Sequence, residues 1–224
     1  MNIYRDRREA GRVLAETVVE RFPGLAHVVV LALPRGGVPV AAELARALDA
    51  PFDVLVVRKL GVPGSPEVAM GAIASVGGEL AVVANDELRE RATSGFGRRS
   101  GETDAWADAL AHERVELDRR VAAYRGDRPP LRLAGRTVLL VDDGIATGAT
   151  MRAAAAAARQ LEPSRLIAAS PVVLPGARAA VQASVDELIS PWYPSAFLGV
   201  GQAYVDFTQT TDAEVRELLA ADQP

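Results

Sequence analysis

The chain predicts an α/β fold, with a central, mostly parallel sheet of about five strands flanked by helices and a small hood of peripheral segments. Three observations carry this expectation. Short, largely apolar, β-branched runs recur, as strands buried on both faces require; residues 27–33 (HVVVLAL), 52–57 (FDVLVV) and 138–141 (VLLV) are the clearest. Stretches of helical periodicity alternate with them, the repeating unit of a parallel sheet. The first and third runs also end in Pro-Arg-Gly-Gly and Asp-Asp-Gly turns, at the strand ends where open α/β sheets bind ligands.

In order along the chain, residues 5–21 place Ala10, Val13, Leu14, Thr17 and Val18 at helical spacing, predicting a first helix with its charged face in solvent. The strand at 27–33 is broken by Pro34-Arg35-Gly36-Gly37. Residues 38–48 follow as a helix with Val40, Ala41, Leu44, Ala45 and Leu48 on one face, and a second strand, 52–57, ends in Arg58-Lys59. Residues 60–80 are rich in Gly and Pro; extended pieces at 69–76 and 79–84 read as a hairpin beside a loop. Asp86 is placed to cap a short helix, and 93–101 (TSGFGRRSG) reads as a basic loop. A long amphipathic helix is expected over 104–125 and a turn at Arg128-Pro129-Pro130. The remaining expectations are strand 137–143, helix 149–161, strand 165–173, helix 176–183, strand 187–190, an irregular aromatic tail over 191–212 and a last helix over 212–220.

The length of 224 residues fits one domain over 1–224, with the hood formed mainly by 191–212 and the N-terminal helix, and a loop-and-helix insertion at about 60–128. Apolar residues make up 49%, enough for a sizeable core. A net charge of −4 gives no support for nucleic-acid binding. The absence of cysteine excludes disulfides and thiolate metal sites. The two histidines, His27 and His112, lie on different expected elements, which argues against a zinc site or a Ser-His-Asp triad. The start, MNIYRDRREAGR, lacks a signal-type apolar core, and no segment reaches the ~20 apolar residues of a membrane span. A cytoplasmic protein without a membrane partner is the expectation.

Residues 138–150, VLLVDDGIATGAT, are the most informative stretch. A buried strand ends in Asp142 and Asp143, a loop of small residues follows, and an alanine-rich helix begins. Loop N–H groups and the helix dipole attract phosphate, and carboxylates at a strand end accept hydrogen bonds from sugar hydroxyls. No Gly-Lys-Ser/Thr follows Val141, which excludes a P-loop hydrolase. Lys59 is the only lysine in a chain otherwise written with arginine.

This stretch resembles the phosphoribosyl pyrophosphate (PRPP) motif of type I phosphoribosyltransferases. The resemblance implies transfer of ribose 5-phosphate from PRPP, with Mg²⁺, to a nitrogenous acceptor (a nucleobase is expected) and release of pyrophosphate. A non-catalytic PRPP-sensing regulator of the same fold is the alternative. Asp142 and Asp143 would hold the ribose hydroxyls, and Gly144, Ala146, Thr147, Gly148, Ala149 and Thr150 would cradle the 5′-phosphate. Arg35, Gly36 and Gly37 would bind pyrophosphate, in a turn where the family often holds a cis peptide, and Arg58 or Lys59 would reach the same group. Asp142, Asp143, Lys59 and Arg35 are thus the catalytic set. No direct protein ligand to the metal is expected, since Mg²⁺ would be held through PRPP. The segment 61–70 or 93–101 would close over the site. Trp192, Phe197 and Asp206 are candidates for the acceptor, although their spacing matches the purine enzymes loosely and no lysine stands before the stretch where those enzymes carry one. A homodimer is usual for the family.

Overall fold

In the computed structural model, residues 4–62, 65–84 and 105–221 are described. The sheet is mixed and has seven strands rather than five. They are β1 (Val28–Ala32), β2 (Phe52–Val62), β3 (Ser65–Val76), β4 (Glu79–Ala84), β5 (Thr137–Val141), β6 (Arg165–Ala169) and β7 (Glu187–Ile189), in the spatial order β4-β3-β2-β1-β5-β6-β7. The five expected strands form the parallel part, β2-β1-β5-β6-β7. The other two are the hairpin β3–β4, which continues the sheet antiparallel from β2.

Among the described residues the α-helices are α1 (Arg7–Arg21), α2 (Gly37–Leu48), α3 (Ala105–Arg125), α4 (Ala149–Arg159), α5 (Pro175–Gln182) and α6 (Asp212–Ala220). Alternation along each parallel strand splits the core in two. Val28, Val30 and Ala32 face a layer that includes Leu14 and Val18 of α1, Leu44 of α2, Leu117 of α3, and Val215 and Leu219 of α6. Val29, Leu31 and Leu33 face Met151 and Ala155 of α4 and Ala177 and Val181 of α5. No helix among the described residues is long and apolar enough to cross a membrane.

Strand β2 departs from its expected end. It runs on through Arg58 and Lys59 to Val62, because β3 pairs with it there, Lys59 opposite Ala72. Val54 lies level with Ala32, and Ala32 with Val141. Lys59, five residues beyond Val54, therefore stands about 16 Å past that row at ~3.3 Å per residue. The two cations sit on a strand that overhangs the sheet's carboxyl edge.

The region expected as the hood brings Tyr4 against residues 203–205. Tyr4 makes a parallel bridge to Tyr204. The Tyr4 N–H donates to the Ala203 carbonyl at 2.8 Å and the Val205 N–H to the Tyr4 carbonyl at 2.8 Å. A third apolar cluster lies beneath: Tyr4, Ala10, Val172, Leu174, Ala203 and Tyr204, joined by Trp192 and Phe197. The Asp86 cap and the basic loop at 93–101 lie outside the described residues.

Candidate active site

Strand β5 is buried over its whole length because both faces are covered, so its end delivers Asp142 and Asp143 to the carboxyl edge of the sheet. Both lie just beyond the strand. The Asp143 N–H donates to Asp142 Oδ1 at 2.9 Å, which fixes the pair locally. Burial, then the Asp143 charge, pushes the Asp142 carboxyl well above the usual carboxylate range. Burial also raises Asp143, against the pull of the Arg7 guanidinium beside it. Two carboxylates this close cannot both ionise easily; the pairing with Arg7 makes Asp143 the better anion and Asp142 the better proton holder.

The turn after β1 fits against this pair. The Pro34–Arg35 peptide is cis. A Cβ built on Gly36 would lie 2.1 Å from Asp143 Oδ2, and one on Gly37 would lie 2.6 Å from the Val141 carbonyl oxygen. The lack of a side chain at both glycines is what lets the turn approach the end of β5. Arg35 reaches across to α6, donating from Nη1 to Asp212 Oδ1 at 3.3 Å, and the Tyr124 hydroxyl of α3 donates to the same oxygen at 3.2 Å.

The loop 144–148 leads into α4. Ile145 is buried and bridges Val173, which anchors the loop's base, while Ala146 and Thr147 are exposed at its crown. Gly148 takes φ 76° as the N-cap residue, a left-handed conformation that glycine adopts without strain. A Cβ there would also meet Val181 Cγ2 at 2.5 Å. The Ala149 N–H donates to the Thr147 hydroxyl oxygen at 3.4 Å; the N–H groups of a helix's first turn lack intrahelical carbonyl partners, which is what suits such a terminus to an anion.

Of the cations on β2, Arg58 donates from Nε to Glu113 Oε2 of α3 at 2.6 Å, whereas Lys59 is exposed. In the hood, Trp192 and Phe197 pack edge to face, their ring centroids 5.0 Å apart, and Trp192 meets Tyr4 in the same way at 6.3 Å. Asp206 stands apart from that pair. It is exposed, and Thr208 holds its carboxyl below the usual range, first through its hydroxyl and then through its N–H, which donates to Oδ1 at 2.9 Å.

Arg7 escaped the sequence reading, which turned the charged face of α1 to solvent. It is the first residue of α1, after Asp6, whose side chain caps the helix. Its Nε donates to Asp143 Oδ2 at 2.7 Å, Nη1 donates to the Thr208 carbonyl at 2.7 Å, and the guanidinium carbon lies 4.1 Å from the Phe207 ring centroid. No local signal separates Arg7 from Arg5 or Arg8, since its partner is 136 positions away.

Fold and site define an α/β protein with a carboxylate pair, a glycine turn and a helix-initiating loop gathered at the carboxyl edge of its parallel strands. The family model described as the phosphoribosyl transferase domain matches residues 3–208, and the chain belongs to that family. Two relatives, from Mycobacterium tuberculosis strains CDC 1551 / Oshkosh and ATCC 25618 / H37Rv and both provisionally named phosphoribosyl transferases, are each 44% identical over 221 residues. The match covers 98% of this chain and 47% of theirs, so the chain spans about half the length of these relatives. The crystal structure of TT1426 from Thermus thermophilus is similar over 99% of this chain and 100% of its own, at 40% identity and a TM-score of 0.84.

Proposed function

We propose that the chain is a phosphoribosyltransferase that moves ribose 5-phosphate from PRPP to a nitrogenous acceptor. The observation that carries the reading is the meeting of Asp142–Asp143, the Gly36–Gly37 turn and the 144–150 loop at one sheet edge, in a chain of this family. In the reaction the bond from the anomeric carbon to pyrophosphate breaks, and pyrophosphate leaves with the electron pair. A nitrogen lone pair forms the new bond, and the acceptor gives up a proton.

Little covalent work falls to the protein; it positions the partners and stabilises charge. The 144–150 loop, with Gly144, Ala146, Thr147, Gly148, Ala149 and Thr150, takes the 5′-phosphate on backbone N–H groups. Asp143, the better anion, accepts from the ribose hydroxyls and complements the positive charge that develops on the sugar; Asp142 supports it. Arg35, Gly36 and Gly37 take pyrophosphate. Of the two β2 cations, Lys59 is the one assigned to pyrophosphate, because the Arg58 guanidinium is engaged with Glu113. The donor set suits a Mg²⁺ that arrives with PRPP: two adjacent carboxylates, one already paired with Arg7, complement an ion held by substrate oxygens and water. Bound in that way, it would neutralise charge on the leaving pyrophosphate. Trp192 and Phe197 offer aromatic surface to a planar acceptor, with Asp206 further along the same tail. A cytoplasmic homodimer belongs to the same reading.

Calorimetric titration with PRPP and Mg²⁺ tests the donor half. Asp142→Asn/Asp143→Asn should fold and lose PRPP binding; retained binding rejects the assignment. Pyrophosphate release across a panel of nucleobases tests turnover. Tight PRPP binding without release for any base would favour the sensor over the enzyme.

A further inference from the structure

Asp143 is gripped from the hood at two points. Arg7 holds its carboxylate at 2.7 Å, in a pair whose side chains are only 10% and 14% exposed. The Tyr204 hydroxyl donates to its backbone carbonyl. Arg7 is itself fixed on two further sides, by the Thr208 carbonyl and the Phe207 ring. A guanidinium is a planar fork, and three anchors leave it one orientation. Its grip on Oδ2 therefore sets the rotation of the Asp143 carboxylate. An ion pair this buried is also weak evidence of a stabilising role, because desolvation offsets much of its attraction. Its position at the end of β5 gives it another use.

We infer that Arg7 is a positioning residue for Asp143: it aims the carboxylate at the ribose hydroxyls and makes that aim depend on the seating of residues 204–208. The inference rests on the reading that Asp143 receives the ribose. Arg7 need not touch PRPP; it acts through the carboxylate. Pyrophosphate alone is held by the Arg35–Gly37 turn, against which the Asp143 carboxylate only packs; loss of pyrophosphate therefore reports displacement of the turn, and selective loss of PRPP reports the aim of the carboxylate.

The experiment titrates wild type, Arg7→Gln and Arg7→Lys with PRPP and, separately, with inorganic pyrophosphate, Mg²⁺ present throughout, and records thermal melts in parallel. Arg7→Gln should weaken PRPP by about tenfold or more while pyrophosphate stays within about twofold of wild type. Arg7→Lys should fall between, because one ammonium keeps the charge but cannot span Asp143 and Thr208 together. Unchanged PRPP affinity in Arg7→Gln overturns the inference, and so does an equal loss for both ligands, which marks a structural role. Should Arg7→Gln fail to fold, Arg7→Lys decides by the same comparison: selective loss of PRPP supports the inference, and equal retention or equal loss overturns it. Wild type that binds no PRPP rejects the proposed function instead.

Discussion

Asp143 occupies space that a side chain at position 36 would claim. The Cβ of Gly36→Ala would sit 2.1 Å from Oδ2 and 2.6 Å from Cγ of that aspartate, so either the turn or the carboxylate must move. Overpacking of this kind costs about 1–3 kcal/mol. Gly36→Ala should lower the melting temperature and weaken PRPP binding by about tenfold, both read on one protein sample. Asp142 gives a prediction of opposite sign. Its folded-state pKa lies well above the ordinary value through burial and the neighbouring Asp143 charge. A carboxyl raised in this way destabilises the fold increasingly as pH climbs from its unfolded pKa towards its folded one, and the penalty is absent below both. Asn imitates the protonated form and keeps an oxygen for the Asp143 N–H. Asp142→Asn should therefore melt higher than wild type, by roughly 2–4 °C for each 1 kcal/mol relieved. The gain should widen as pH climbs above the ordinary carboxyl value of about 4, as calorimetric scans across a pH series would measure.

At the scale of elements, β2 and α3 are tied at the end of the sheet away from the site. Asp53, second residue of β2, takes Arg125 at the end of α3 through three contacts of 2.9–3.1 Å, and the two side chains are 3% and 5% exposed. Removing one partner of such a pair strands the other charge, at about 3–5 kcal/mol. Asp53→Ala should lose that much in urea unfolding. The boundaries of these elements also show what a sequence can carry. Helix α6 reads correctly over 212–220 because its signals are local: an amphipathic stretch behind Thr211 and Glu214, which form a capping box. Asp142–Asp143 and Gly36–Gly37 were legible for the same reason, as short patterns at strand ends. The end of β2 was not. Arg58 and Lys59 look like the close of a strand, and only the pairing with β3 and the Arg58–Glu113 contact carry the strand further. The hairpin itself was legible, but its place in the main sheet was not, since pairing across strands leaves no local mark. Arg7 lies at the far end of this scale: its role is set by partners more than a hundred residues away.

For the molecule as a whole, the tail is part of the core as well as of the hood. Val215 and Leu219 of α6 are fully buried in the larger core cluster, where α6 packs on α2 and α3, while Asp212 of the same helix holds Arg35 in its turn. Burying each such side chain contributes about 1.5–3 kcal/mol. A variant lacking residues 209–224 should melt about 10 °C lower or more, followed by circular dichroism, and should lose the support for Arg35 at the same time. The junction between the hood and α1 also sets a clock. During synthesis Arg7 emerges first, and its Thr208 partner is made 201 positions later. At about 5–20 residues per second that wait is roughly 10–40 s. Until then Asp143 has no finished clamp; β7 ends at Ile189 and α6 closes the larger core only at Ala220, so the carboxylate is seated as the last elements of the fold dock.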